Sequence, residues 1–242
     1  MIHESFPFSG FNKEIFTFLN DLQKNNTVDW FRNNKERYQK YLVGPAKSFI
    51  NELAPFLSRL NPSIRTEPKF NETIMRLNKD MRFAKGEPYR TFLLIHFGRF
   101  KLDSEFYLYF SPDGAEIGMF INNTASDSLF FKQNLNKFER EIKSVCTKYN
   151  INGNFKLSDL NDDMNIVSKS FNAEKDFTTL SEIDYILLEK KKVLSTKVLF
   201  TNKIIEEMIA IIMQLYPLYC FAISPQPIKL LQKFEDDFGE VI

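Results

Sequence analysis

The chain has 242 residues, 43% hydrophobic and 26% charged, with a formal net charge of +1. This is the balance of a folded globular protein, and 26 Phe residues carry far more apolar surface than a disordered chain does. Charge near zero argues against a general nucleic-acid binder, which is strongly basic, and the length suits a single domain spanning residues 1–242.

Cys146 and Cys220 lie far apart in apolar surroundings, which predicts two free thiols in a reducing compartment rather than a disulfide. Met1-Ile2-His3-Glu4 lacks the basic start and apolar run of a signal peptide. The longest apolar candidate, Ile204 to Tyr219, is interrupted by Glu206, Glu207, Gln214 and Pro217. It falls short of the ~20 apolar residues of a membrane span. A cytoplasmic protein with no membrane partner is expected.

In chain order, Phe11, Ile15, Phe18, Leu19 and Leu22 recur at helical spacing, which predicts a helix over 11–24 with Ser9 or Asn12 as its cap. Thr27 or Asp29 starts a second helix through Leu42, with Trp30, Phe31, Tyr38 and Leu42 inward and Arg32, Lys35, Glu36 and Lys40 outward. Gly44-Pro45 should end it and open a third helix, kinked at Pro55 and terminated by Asn61-Pro62. Ile74 to Leu77 reads as a short strand and Thr91 to Phe97 as a buried one. Residues 105–121 alternate on both sides of a Pro112-Asp113-Gly114 turn, the pattern of a hairpin. A helical stripe runs from Asp127 to Tyr149, and 150–178 read as an irregular loop. Thr179 to Glu182 fits a capping box starting a short helix. Val193 to Phe200 reads as a further strand, Asn202 to Tyr216 as a central buried helix, and Pro217, Pro225 and Pro227 punctuate the tail.

Chemistry concentrates between Arg76 and Arg90, where Arg76, Lys79, Arg82, Lys85 and Arg90 outnumber Asp80 and Glu87. Guanidinium groups bind phosphate and carboxylate through a planar fork. In an extended segment Arg76 and Arg82, at even spacing, would share one face and converge on an anion or an acidic partner. The bland alternative is a solvated, self-paired charge run. Trp30 with Phe31 could wall such a site, although a lone Trp on an amphipathic helix is more often core. Tyr89 could close it, and Asp80 is the nearest candidate general base. His3 and His96 have no ligand spacing with other His or Cys residues, and Asp162-Asp163 and Asp236-Asp237 are adjacent acids pointing different ways, so no metal site is expected. No nucleophile-elbow, phosphate-loop or dinucleotide fingerprint occurs, so no cofactor is identified. Cys146 on an apolar helical stripe is not expected to be a nucleophile.

Two stretches resemble a known family. Asn25-Asn26, Trp30-Phe31, Asn34-Lys35 and Tyr38 are similar to an NN-x-x-x-WF-x-x-NK-x-x-Y signature. Arg76-Leu77-Asn78-Lys79-Asp80-Met81-Arg82-Phe83, then Lys85 and Pro88-Tyr89-Arg90, resemble R-I-x-R-D-x-R-F-S-K-D-K-x-P-Y-K. Both belong to a widespread bacterial family, domain of unknown function 2461. The resemblance implies a single α+β domain with no established activity. Ala84 stands where the family has Ser, Gly86-Glu87 replaces a longer segment with one more Lys, and the glycine-rich run after the hairpin is reduced to Gly118.

The expected fold is thus α+β, a mainly antiparallel sheet from residues 72–122 and 193–199 packed by N-terminal and C-terminal helices. The expected function is binding of an anionic small molecule, phosphate- or carboxylate-bearing, through Arg76, Lys79, Asp80, Arg82, Lys85, Tyr89 and Arg90 with Trp30. The alternative is an interaction module whose basic surface holds an acidic protein or nucleic acid.

Overall fold

Ile15, Phe18, Leu19 and Leu22 fall on one side of helix α1 (Glu14–Lys24), and all four are fully buried. Asn12 assists its start by accepting the Glu14 N–H at 3.0 Å. The Thr27 hydroxyl caps α2 (Val28–Asn33) by accepting the Trp30 N–H at 3.2 Å. Helix α3 (Lys35–Tyr38) follows directly, then one π-helical turn (Gln39–Val43) and α4 (Gly44–Leu60). Gly44-Pro45 therefore does not break the chain's helical path. The π turn takes the Gly44 N–H to the Gln39 carbonyl, and Pro45 sits in the first turn of α4, where its missing donor costs least. Ala46, Phe49, Ile50, Leu53, Leu57 and Leu60 form the buried stripe of α4, and Asn61 ends it.

The computed structural model describes residues 8–83, 85–161, 165–192 and 194–239. His3, Ala84, Asp162, Asp163 and Val193, named above, lie outside them. The fold resolves into two compact units. One holds residues 8–83, 85–97, 107–116 and 194–209; the other holds the described parts of 98–106, 117–192 and 210–239.

In the first unit the predicted strand at Ile74–Leu77 is an extended strip held by single bridges. Met75 donates to the Leu94 carbonyl at 3.0 Å, Arg90 to Leu77 at 2.8 Å and Lys79 to Pro88 at 2.9 Å. The strip borders β1 (Leu93–Phe97). Phe11 packs on Phe49 at 5.5 Å and on Phe110 at 4.6 Å, joining helix and hairpin. Gly10 is required beside them: a Cβ there would stand 2.4 Å from the Phe200 carbonyl carbon.

Strands β2 (Glu105–Ser111) and β3 (Gly114–Asn122) form the predicted hairpin, turning at Pro112–Asp113. The sheet departs from expectation beyond them. Residues 150–178 contain β4 (Phe155–Asp159) and β5 (Asn165–Ser168), and β6 is Tyr185–Lys190. The six strands run in the order β1-β2-β3-β6-β4-β5, with β6 antiparallel to both β3 and β4. The fold is α+β. The expected strand over 193–200 is instead the one-turn helix α8 (Thr196–Leu199).

The predicted 127–149 helix divides at Phe138 into α5 (Phe131–Lys137) and α6 (Glu139–Lys148). Thr179 lies inside α7 (Phe177–Glu182) rather than capping it. Helix α9 (Lys203–Ile223) continues through Pro217, and α10 (Pro227–Phe238) follows it, starting at a proline. By length and composition α9 could cross a membrane, yet 61% of its most apolar window is buried within the protein, as suits a core helix. Burial on every side from Leu215 to Ala222 offsets the hydrogen bond lost at Pro217. Cys146 and Cys220 are free and buried, and burial raises both thiols, Cys146 to about 12.

The second unit is fastened by an ion pair. Arg99 grips the fully buried Asp103 with Nε and Nη2, both at 2.8 Å. Its remaining donors reach the Ile223 carbonyl at 2.8 Å, at the end of α9, and the Ser128 carbonyl at 3.0 Å. One guanidinium thus joins three chain segments. Removing one partner of a buried pair costs ~3–5 kcal/mol. Asp103→Ala is expected to lower stability by about that amount in urea denaturation, while the paired change Arg99→Met with Asp103→Leu recovers most of it. A single variant as stable as wild type would show that solvent screens the pair.

Candidate functional site

Helical spacing places Val28, Phe31, Arg32, Lys35, Tyr38 and Gln39 along one stripe of the nearly continuous α2–α3 run. Across from it lie Phe70 and the extended strip, from which Arg76 and Asn78 project at even spacing. Together with Tyr89 these residues line a groove of about 490 Å³ in the first unit. Its cations are Arg32, Lys35 and Arg76, its apolar wall is Val28, Phe31 and Phe70, and Gln39 and Asn78 contribute amides. None of the lining residues is acidic.

Asn26 sets the geometry. Its Oδ1 accepts the Tyr89 N–H at 3.0 Å, and its Nδ2 donates to the Tyr89 carbonyl at 2.9 Å and to Glu87 Oε2 at 3.0 Å. The Tyr89 ring then stacks on Phe31, centroids 4.2 Å apart and planes within 15°. From below, Asn34 Nδ2 donates to the Trp30 carbonyl at 2.9 Å while its Oδ1 accepts from Arg37, which also holds Asp21 at 2.9 Å. Burial raises the Tyr38 phenol to about 12 despite the nearby Arg76 charge. Burial also raises Tyr89, against the opposing influence of Arg32.

The residues expected from the sequence separate. Arg76 and Tyr89 line the groove. Arg82 does not, because the backbone turns at Asp80, whose carbonyl accepts the Phe83 N–H at 3.0 Å, and the even spacing counted from Arg76 lapses there. Arg82 instead folds back on Asp80 as a fork, Nε–Oδ1 2.9 Å and Nη2–Oδ2 2.7 Å, with 79% of its own side chain exposed. The same bond holds the Asp80 carboxyl below its ordinary value. Arg90 is occupied by the carbonyls of Arg76 at 3.1 Å and Asn78 at 3.0 Å. Lys85 is exposed on the loop and Lys79 half-buried; neither lines the groove. Trp30 lies on the opposite side of α2 from Val28, half-buried against Phe18 at 5.6 Å, and does not line the groove. His96 stands on β1 with its N–H on the Thr73 carbonyl at 3.0 Å. Among the described residues no three His, Cys, Asp or Glu side chains come together as metal ligands.

Arg32, Lys35, Tyr38 and Asn26 were not among the residues expected to form the site. The signal was present as a stripe at helical spacing that mixes cations with aromatics, where a purely solvated face would be polar throughout. A larger hollow of about 950 Å³ runs along α6 in the second unit, but there Lys143 is held by Glu139 at 2.7 Å and by Glu174 at 3.4 Å. That surface neutralises itself, and the groove of the first unit does not.

The sequence pattern of the conserved hypothetical protein family, domain of unknown function 2461, matches residues 14–221. The chain belongs to this family. No curated protein and no solved structure matches it. In this family member both signature stretches meet at the groove: Asn26, Phe31, Lys35 and Tyr38 from the first, Arg76, Asn78 and Tyr89 from the second.

Asn26→Ala would leave the Tyr89 peptide without its side-chain partner. Each buried group left unsatisfied costs ~1–3 kcal/mol. The expected result is a loss of about 2–4 kcal/mol by the same principle, together with faster amide hydrogen exchange at Tyr89 and Arg90. Unchanged exchange at those amides would mean that the groove is held by Phe31–Tyr89 stacking alone.

Proposed function

We propose that this family member binds a small anionic ligand, bearing phosphate or carboxylate, in the groove between the second helix and the basic segment. The observation that carries this reading is the convergence of Arg32, Lys35 and Arg76 on one concavity with no acidic lining. Arg32 does have an acidic neighbour, Asp29 at 3.4 Å, but that pair is 72% and 85% exposed, and such pairs are weak. An anion entering the groove meets two guanidinium forks and an ammonium, the arrangement that favours oxyanions. The Tyr38 phenol keeps its proton at neutral pH and supplies a neutral donor. The reading places the protein in the cytoplasm, which two unpaired thiols suit.

A second reading rests on the loop tip. Met81, Arg82 and Phe83 are 46%, exposed and 85% exposed respectively, an apolar and basic projection fit for an acidic macromolecular partner.

The test is a thermal-shift screen of inorganic phosphate, pyrophosphate, citrate, acidic peptides and oligonucleotides at low salt, followed by titration of variants at two salt concentrations. Arg76→Ala is expected to weaken the small anion by roughly ten- to a hundredfold, since a charge-assisted hydrogen bond contributes ~1.5–3 kcal/mol. Arg76→Lys restores only part, because a point charge cannot form the fork. Arg82→Ala should change it less than about threefold, as its head group is already occupied and screened. Equal losses from Arg76→Ala and Arg82→Ala, with strong salt dependence, would transfer the function to the loop tip. No binding of any anion at low salt would end both readings.

A further inference from the structure

Anion binding alone leaves much of the groove unexplained. A free phosphate would use the cations and ignore the wall formed by Val28, Phe31 and Phe70, and the volume of about 490 Å³ suits a ligand of many atoms rather than a bare oxyanion. The wall includes two aromatic rings. Phe31 is fixed by its stack on Tyr89 and only 9% exposed, so it backs the groove rather than offering an open ring face. Phe70 stands half-buried beside it. Gln39 and Asn78 lie at the same groove, each able to donate and accept hydrogen bonds at once, the pairing that reads the edge of a nucleobase. Aromatic faces stack on any base. The charge points the same way. A phosphomonoester carries about −1.5 to −2 at neutral pH, which leaves part of the charge of Arg32, Lys35 and Arg76 unmatched. A diphosphate comes closer.

The geometry points to a nucleoside diphosphate as the ligand class of the groove, with its phosphates on Arg32, Lys35 and Arg76 and its base against Phe70. This rests on the anion-binding reading above and deepens it. The amides serve the base edge, and the protonated Tyr38 phenol adds a donor for the sugar or phosphate oxygens.

The experiment separates the ring from the charge. Calorimetric titration at low salt uses ADP, GDP, CDP and UDP as full ligands, pyrophosphate as charge without ring, ribose 5-phosphate as charge with sugar, and adenosine as ring without charge. At least one nucleoside diphosphate is expected to bind about tenfold or more tighter than pyrophosphate, the size of one good stacking contact. Phe70→Ala should remove most of that gap and weaken pyrophosphate less than twofold, while Arg76→Ala weakens both ligands about equally. Phe70→Leu, which keeps the apolar volume, guards against a folding defect: it should melt as wild type does and still lose affinity for the nucleotide. Pyrophosphate binding as tightly as every nucleoside diphosphate would overturn the nucleotide inference and leave the anion groove standing. Adenosine binding as tightly as ADP, or no binding of any phosphate, would overturn both.

Discussion

The groove depends on one side-chain amide. Asn26 presents its Oδ1 and Nδ2 to the N–H and C=O of Tyr89, pairing with that peptide as a neighbouring strand would. A carboxylate cannot donate and a hydroxyl cannot span both groups, so only an amide satisfies the pair. Because Asn26 is 9% exposed, water does not replace these bonds readily. The next residue, Thr27, caps α2. The start of the helix and its attachment to the basic strip are therefore adjacent in the chain. Every lining residue of α2–α3 is placed relative to Arg76 and Asn78 by that junction.

Around it, buried and exposed polar contacts do different work. The buried Asn26 bonds to Tyr89 fix the start of α2 against the basic strip, and the part-buried Asn34 bond to the Trp30 carbonyl closes the end of α2. The Phe31–Tyr89 stack fills the space between. The exposed set, Arg82–Asp80 and Arg32–Asp29, lies where ion pairs are worth ~0–1 kcal/mol. Those cations can exchange partners without disturbing the fold. A rigid floor under adaptable charges is what an anion site needs: the geometry exists before binding, and the charge remains available for it.

Where periodicity and burial agreed, the sequence was readable. The stripes of α1 and α4 each report one buried face, the alternation of β2 and β3 marks the hairpin, and the structure has all of them. Strands β4 and β5 were not legible, because β5 exposes Asn165, Ile166 and Val167 together and so shows no alternation. Strand β6 buries Ile186, Leu187 and Leu188 in succession, an apolar run too short to distinguish from helix. Tertiary burial overrode local punctuation at Pro217, and a π turn carried the helix through Gly44-Pro45. For the site, the basic segment supplies Arg76, Asn78 and Tyr89 to the groove, but counting by twos from Arg76 assumed an extended chain. It holds as far as Asn78 and fails at the Asp80 turn. Lys35 and Arg32 were read as solvent-facing, and both are exposed, but a groove wall and a solvated face have the same helical period, so the reading did not reveal the groove.

The departures from the family's second signature can now be placed. Gly86 adopts φ +84°, with open space where a Cβ would stand, and it lies with Lys85 and Glu87 on the exposed turn. None of these residues lines the groove. The shortened loop with its missing Lys therefore alters the projection that carries Arg82 and Phe83, while the cations of the groove come from Arg32, Lys35 and Arg76. Glu87 does not line the groove either; its carboxylate accepts from Asn26 Nδ2 at 3.0 Å. That contact anchors the near end of the loop at the same amide that positions Tyr89. The Lys79–Pro88 and Arg90–Leu77 backbone bonds close the loop at its base, so the tip and the groove are mechanically separable here.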